Sequence, residues 1–265
     1  MVIEQIDKIL SEKHETYIKI GYIKEVLQTY ILSYIYNDSR FGSLIFYGGT
    51  AMRFCHNLNR LSEDLDFIGI GFTYQDELAI GLQSYFAKIG LVCDFKHQKF
   101  RTTLKFHDLL SHFDLKFENS NDLYLKIEIS DNFEFATGYH IEFFPIQKYD
   151  LSLFIRSLNI SDLMGTKLNA VLYRTRTNER KGATFKGRDI YDLFRYLTQK
   201  IKPNLGCVDG VDDIHILKTL LVEKINSIDF DRSINDIQFF IENQNSLDNF
   251  KRYAKDFMLR EIASR

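Results

Sequence analysis

The candidate chemistry is concentrated in a short stretch: Gly48-Gly49-Thr50, then Arg60, then Ser62-Glu63-Asp64-Leu65-Asp66-Phe67. In a β-strand, residues i and i+2 project to the same face, so Asp64 and Asp66 would point together while Leu65 and Phe67 turn inward. Two adjacent carboxylates repel, and each is costly to desolvate unless a cation lies between them. Mg²⁺ suits such a pair because it prefers oxygen ligands and is commonly shared with substrate phosphates; Mn²⁺ is the alternative occupant. A Gly-Gly turn running into a helix aims free N–H groups at a ligand, a combination that binds phosphate. Gly48, Gly49 and Thr50 are therefore the candidate triphosphate cradle, with Thr50 read as the helix N-cap and its hydroxyl as a further donor. The ordinary alternatives are a solvated pair of surface charges and a plain glycine turn.

Three further segments carry candidates. In Tyr124-Leu-Lys-Ile-Glu-Ile, Lys126 and Glu128 share a polar face. If that strand lies beside 63–68, Glu128 is a third metal-binding carboxylate, able to join Asp64 and Asp66 around a second ion. The competing expectation is an edge strand turned to water. Lys167 lies on a helix expected over 161–176 and capped by Ser161, with Leu163, Leu168, Val171 and Leu172 facing the core and Lys167 and Arg174 pointing elsewhere. Gly187-Arg188-Asp189 opens the next helix, with Asp192 one turn on. An acid there can simply compensate the helix dipole. Arg174, Arg176, Arg180, Lys181, Lys186 and Arg188 fall within fifteen residues and form the candidate RNA-contacting patch, with a solvated loop as the other reading.

The elements that must position these groups can be read from periodicity. Residues 1–36 are helix-periodic. SLIFYGG (43–49) and EDLDFIGIG (63–71) are strand-like and close enough to pair, and 75–90 is an amphipathic helix ending at Gly90. Strand-like stretches follow to about residue 131. After Pro145 the pattern turns helical, at 161–176, 188–200, 212–226 and 234–244. The expectation is an α+β fold: an α/β domain over 1–150 with N-terminal helices and a mixed sheet, then a helical domain over 151–265.

Composition narrows the chemistry. Thirty-four basic and 36 acidic residues leave 34 − 36 = −2, so no global basic field points to nucleic acid. Three scattered cysteines suit neither a disulfide framework nor a zinc site. The charged N-terminus reads as no signal peptide, and no apolar run is long enough to span a bilayer. The expectation is a cytoplasmic protein without membrane contact. The seven histidines form no HxH or HExxH pattern, and there is no P-loop or GxSxG elbow.

Taken together, FYGGTAMRF, RLSEDLDF, LKIEIS, SDLMGTKLNAVLYR and KGRDIYDLF, in that order from residue 46 to 194, resemble the AbiEii/AbiGii family of nucleotidyltransferase-like toxins. The resemblance implies a DNA-polymerase-β-like nucleotidyltransferase fold followed by a helical region that completes the active site. It also implies an NTP substrate, an RNA acceptor such as a tRNA 3′ end, and a cognate antitoxin in an abortive phage-infection system. Carried over by residue, it puts Gly49 and Thr50 at the phosphate motif, beside Gly48 of the glycine turn, Asp64 and Asp66 at the metal pair, and Glu128 at the third acidic position. Lys167 and Asp189 are then catalytic, and Arg188 contacts phosphate. The competing readings are a DxD glycosyltransferase, a metal-dependent nuclease and a non-catalytic NTP-binding module. The nuclease is disfavoured by the order Lys126-x-Glu128, the reverse of E-x-K.

Overall fold

The computed structural model describes residues 2–131, 133, 136–174 and 186–264. The chain divides into two compact units. The first comprises Met1–Asn57, Leu61–Phe133 and Ile141–Ser157, and the second Leu58–Arg60, Glu134–His140 and Leu158–Arg265.

The first unit is built on a mixed seven-stranded sheet. Its strands are β1 (Ile45–Tyr47), β2 (Asp64–Ile68), β3 (Cys93–Gln98), β4 (Arg101–Phe106), β5 (Leu123–Ser130), β6 (Ile141–Lys148) and β7 (Leu151–Leu158). They lie in the order β3-β4-β5-β2-β1-β7-β6. Strict alternation decides their faces: Leu123, Leu125, Ile127 and Ile129 of β5 turn inward, whereas Tyr124, Lys126, Glu128 and Ser130 turn outward. The inward face meets α2 (Thr16–Tyr36) and α4 (Gln75–Lys88), where Phe86 stands edge-on to Phe106 at 4.8 Å. Helix α1 (Val2–Leu10) packs on α2, which is buried around most of its circumference. The short helix α3 (Gly48–Cys55) follows β1 directly and packs on β1 and β2.

β1 and β2 pair antiparallel, as their spacing implies, with Tyr47 opposite Asp66. β5 lies parallel to β2 and between it and β4, so it is not an edge. The turn to helix after Pro145 comes later than the periodicity suggests: β6 and β7 occupy 141–158. Pro145 is tolerated because β6 is the outermost strand, where one side of the backbone needs no ladder partner. One of the strand-like stretches before residue 131, at 115–119, forms no strand; Phe117 makes an isolated bridge to Ser120.

The second unit is helical: α5 (Ile160–Tyr173), α6 (Gly187–Thr198), α7 (Ile214–Ser227), α8 (Phe230–Ile237) and α9 (Gln244–Ser264). Its core includes Tyr191, Phe194 and Phe250, with ring centroids 5.2–6.3 Å apart. The expected helix over 234–244 is broken after Ile237 by a 3₁₀ turn, and α9 begins where it was to end. Gly187 opens α6 because nothing larger fits: a Cβ there would collide with the Ser233 carbonyl oxygen.

Candidate active site

In the first unit the glycine motif and the carboxylate pair are in contact range. The strand β1 runs straight into α3, so Gly48 and Gly49 are the first helical residues rather than a separate turn. Their N–H groups, with that of Thr50, belong to the first turn, which has no intrahelical carbonyls to bond. Gly48 holds φ at +79°, and a Cβ added to it would lie 2.5 Å from Asp66 Oδ2. Only glycine allows this backbone and leaves room for the carboxylate beside it.

Thr50 corrects its expected role. The N-cap is Tyr47, and Thr50 sits inside the first turn, fully buried. Its hydroxyl lies 2.7 Å from the Ser62 hydroxyl and donates to the Asp64 carbonyl oxygen. That bond ties α3 to the start of β2, so the side chain registers the two motifs against each other.

Asp64 and Asp66 do share the outward face of β2, and both are half-buried. Glu128 lies directly across from Asp66 and Lys126 across from Asp64. On the far side of β5, Arg101 is opposite Glu128 and Thr103 opposite Lys126. Two rows therefore cross three strands: Asp66, Glu128, Arg101 and Asp64, Lys126, Thr103. Arg101 places Nε and Nη2 each 2.6 Å from the same oxygen, Glu128 Oε1. Lys126 Nζ is 3.8 Å from Asp64 Oδ1. The Tyr47 hydroxyl is pushed up above its ordinary range by burial, with the negative charges of Asp66 and Glu128 adding to it. Among the described residues, no three His, Cys, Asp or Glu groups are gathered closely enough to hold one ion together. The oxygen-only donors Asp64 and Asp66, beside a glycine that leaves space for them, fit a hard divalent cation.

The second unit assembles a different set of charges. Helix α5 is capped by Asn159, whose side chain accepts from the Asp162 N–H at 2.9 Å, and not by Ser161. Asp162 is itself fully buried and accepts from the His140 N–H and, at 2.6 Å, from Asn204 Nδ2. Lys167 points inward, against the expectation of a side chain directed away from the core. Its Nζ is 3.1 Å from Asp189 Oδ1 and 2.9 Å from Asp192 Oδ2. Asp192 in turn takes a bidentate pair of hydrogen bonds from Arg60, at 2.6 and 2.7 Å, with both residues buried. Arg174 Nε lies 3.3 Å from the other Asp189 oxygen.

Among the described residues, three cations against two acids give this cluster 3 − 2 = +1. Burial opposes the charge on Lys167, but Asp192 and Asp189 outweigh it and hold the ammonium above its ordinary range. Burial likewise opposes ionisation of the two acids, yet Lys167 with Arg174 on Asp189, and Arg60 with Lys167 on Asp192, hold both carboxyls below the usual range. Arg60 and Asp192 are 132 positions apart, and neither stands out alone. The signal available was an arginine close before the carboxylate pair and a second acid at i+3 from Asp189. Arg188 stacks over the Phe240 ring, 4.7 Å from its centroid. Arg176, Arg180 and Lys181 of the expected basic patch lie outside the described residues.

A family model described as the nucleotidyl transferase AbiEii toxin of type IV toxin–antitoxin systems matches residues 30–259. The chain belongs to the AbiEii family. It is thus a nucleotidyltransferase of the toxin class, which takes an NTP as substrate and has an antitoxin as counterpart. The fold agrees with two solved structures. A Helicobacter pylori protein described as a candidate nucleotidyltransferase is 17% identical over 92% of this chain and 93% of its own, with a TM-score of 0.50. JHP933 from Helicobacter pylori is 17% identical over 92% and 90%, with a TM-score of 0.51. No curated protein matches this AbiEii chain. Among its described residues, no helix is long and apolar enough to cross a membrane.

Proposed function

We propose that this AbiEii protein transfers a nucleoside monophosphate from an NTP to an RNA 3′ end, of which tRNA is the leading candidate, in a divalent-metal-dependent reaction. The observation that carries the proposal is the packing of Asp66 against Gly48. It sets a carboxylate suited to Mg²⁺ or Mn²⁺ directly beside a helix N-terminus suited to phosphate.

In this reading Asp64 and Asp66 hold the metal, which when bound neutralises triphosphate charge and polarises the phosphorus under attack. The N–H groups of Gly48, Gly49 and Thr50 hold the terminal phosphates, and the Thr50 hydroxyl keeps α3 in register with β2. The acceptor hydroxyl attacks the α-phosphorus and gives up its proton to Glu128 or to solvent water, the α–β bridging P–O bond breaks, and pyrophosphate leaves with its electrons. Lys167, kept protonated by Asp189 and Asp192, neutralises charge on the triphosphate or on departing pyrophosphate, and Arg188 contacts phosphate. Glu128 is the third acidic group, available to a second ion. In the cell, modification of cytoplasmic RNA would arrest growth in an abortive response to phage, restrained by the cognate antitoxin.

The test is direct. Purified protein with Mg²⁺, labelled NTPs and total RNA is expected to yield labelled RNA, and Asp66→Ala to abolish labelling. Wild type that binds NTP yet labels nothing would sink the transfer reading in favour of a non-catalytic nucleotide-binding module.

A further inference from the structure

The three outward carboxylates are not equivalent. Asp64 and Asp66 belong to one strand, whereas Glu128 sits between Asp66 and Arg101 in a row across three strands. Directly opposed side chains on neighbouring strands are about 5 Å apart at Cβ, close enough for either neighbour to claim Glu128. Arg101 has it: two guanidinium nitrogens converge on Glu128 Oε1 at 2.6 Å. Charge-assisted hydrogen bonds of this length are among the stronger polar contacts a protein makes. An ion bridging Asp66 and Glu128 would have to draw that carboxylate off the guanidinium, or take its other oxygen right beside the guanidinium's positive charge.

We infer that Arg101 is a positioning residue that competes with the divalent cation for Glu128, so that in the substrate-free protein the ion is held by Asp64 and Asp66 without it. The inference rests on the metal reading of the Asp64–Asp66 pair given above. Arg101 and Glu128 are each about four-tenths exposed at 43% and 37%. The competition is therefore modest, and a phosphate, the other natural partner of a guanidinium, can displace it.

The experiment measures Mn²⁺ binding to the purified full chain by electron paramagnetic resonance of the free ion, without nucleotide. Arg101→Met is expected to bind Mn²⁺ about fivefold more tightly, the upper end for an ion pair this exposed. Arg101→Lys keeps a cation opposite Glu128 and is expected to stay near wild type. In the Arg101→Met background, Glu128→Asp keeps the charge but withdraws the carboxylate by one methylene. Direct ligation then loses the fivefold gain, whereas a mere change of electrostatic field retains it. Lys105→Met removes a cation from the same strand, one paired with Asp122, and is expected to change little. Arg101→Met with wild-type affinity, or a gain that survives Glu128→Asp, would overturn the proposal. The underlying metal reading fails separately, and takes this inference with it, if Asp66→Asn binds Mn²⁺ as wild type does.

Discussion

The outward carboxylates of the sheet and the buried ion cluster of the helical unit are both built from acids facing cations, yet they are organised oppositely. On the sheet, Asp64, Asp66 and Glu128 share an exposed or half-buried face with Arg101, which pairs with Glu128, and Lys126, which lies near Asp64. In the helical unit, Arg60, Lys167 and Arg174 outnumber Asp189 and Asp192, and the central members are buried. The first arrangement leaves its acids where a cation can reach them. The second carries surplus positive charge and has little freedom to rearrange, because each buried ion depends on its neighbours for solvation. The contrast is one of freedom: the sheet's acids remain accessible, while Asp192 holds Lys167 and Arg60 in place and charged.

Breaking the buried cluster is the strongest way to challenge that contrast. Asp192→Ala leaves Arg60 and Lys167 without their shared partner and is expected to destabilise the protein by about 3–5 kcal/mol in urea unfolding. The double change Arg60→Met with Asp192→Leu is expected to cost less than Asp192→Ala, since it removes the charges together. A double variant as unstable as the single one would mean that the pair contributes more than mutual solvation.

Asp66→Asn tests the opposite arrangement. Stability should stay within about 0.5 kcal/mol of wild type or rise, because a repulsive pair is relieved. RNA labelling should fall by about 10²-fold or more, as expected when charge stabilisation at a reacting phosphate is lost. A variant that loses both together would erase the distinction between the two regions.

Gly48→Ala lies between these extremes. The left-handed backbone and the collision with Asp66 Oδ2 are expected to cost about 1–2 kcal/mol in thermal unfolding and to weaken NTP binding. Unchanged NTP affinity in a folded Gly48→Ala protein would argue against the phosphate cradle.

The smallest effect is the pH dependence. Asp189 and Asp192 have carboxyls held below their ordinary value, so the native state binds protons less readily than the unfolded chain. Their contribution is complete above the unfolded carboxyl value of about 3.9 and is lost as pH falls through their lower native values. Unfolding measured from pH 5 downward should lose stability less steeply in Asp192→Asn than in wild type. An equal slope would assign the acid sensitivity to other carboxylates, such as Glu25, also held below its ordinary value: burial opposes its charge, but Arg53 and Lys148 outweigh it.

The features legible in the residues alone are local. Period-two alternation was enough to put Asp64 and Asp66 on one face, to put Lys126 and Glu128 on another strand's polar face, and to pair β1 with β2 across a short connection. The glycine pair before a helix was legible for the same reason, since strand, turn and helix signals act within a few residues. Packing between distant segments chose which strands became neighbours, and so placed Glu128 between Asp66 and Arg101. It alone turned Lys167 inward and joined Arg60 to Asp192. It also kept Pro145 inside an edge strand and made the Thr50 hydroxyl a tie between α3 and β2. These outcomes depend on packing between segments far apart in the chain. A buried ion gains its partners from whichever helix or loop the core brings beside it, and no local pattern encodes that choice.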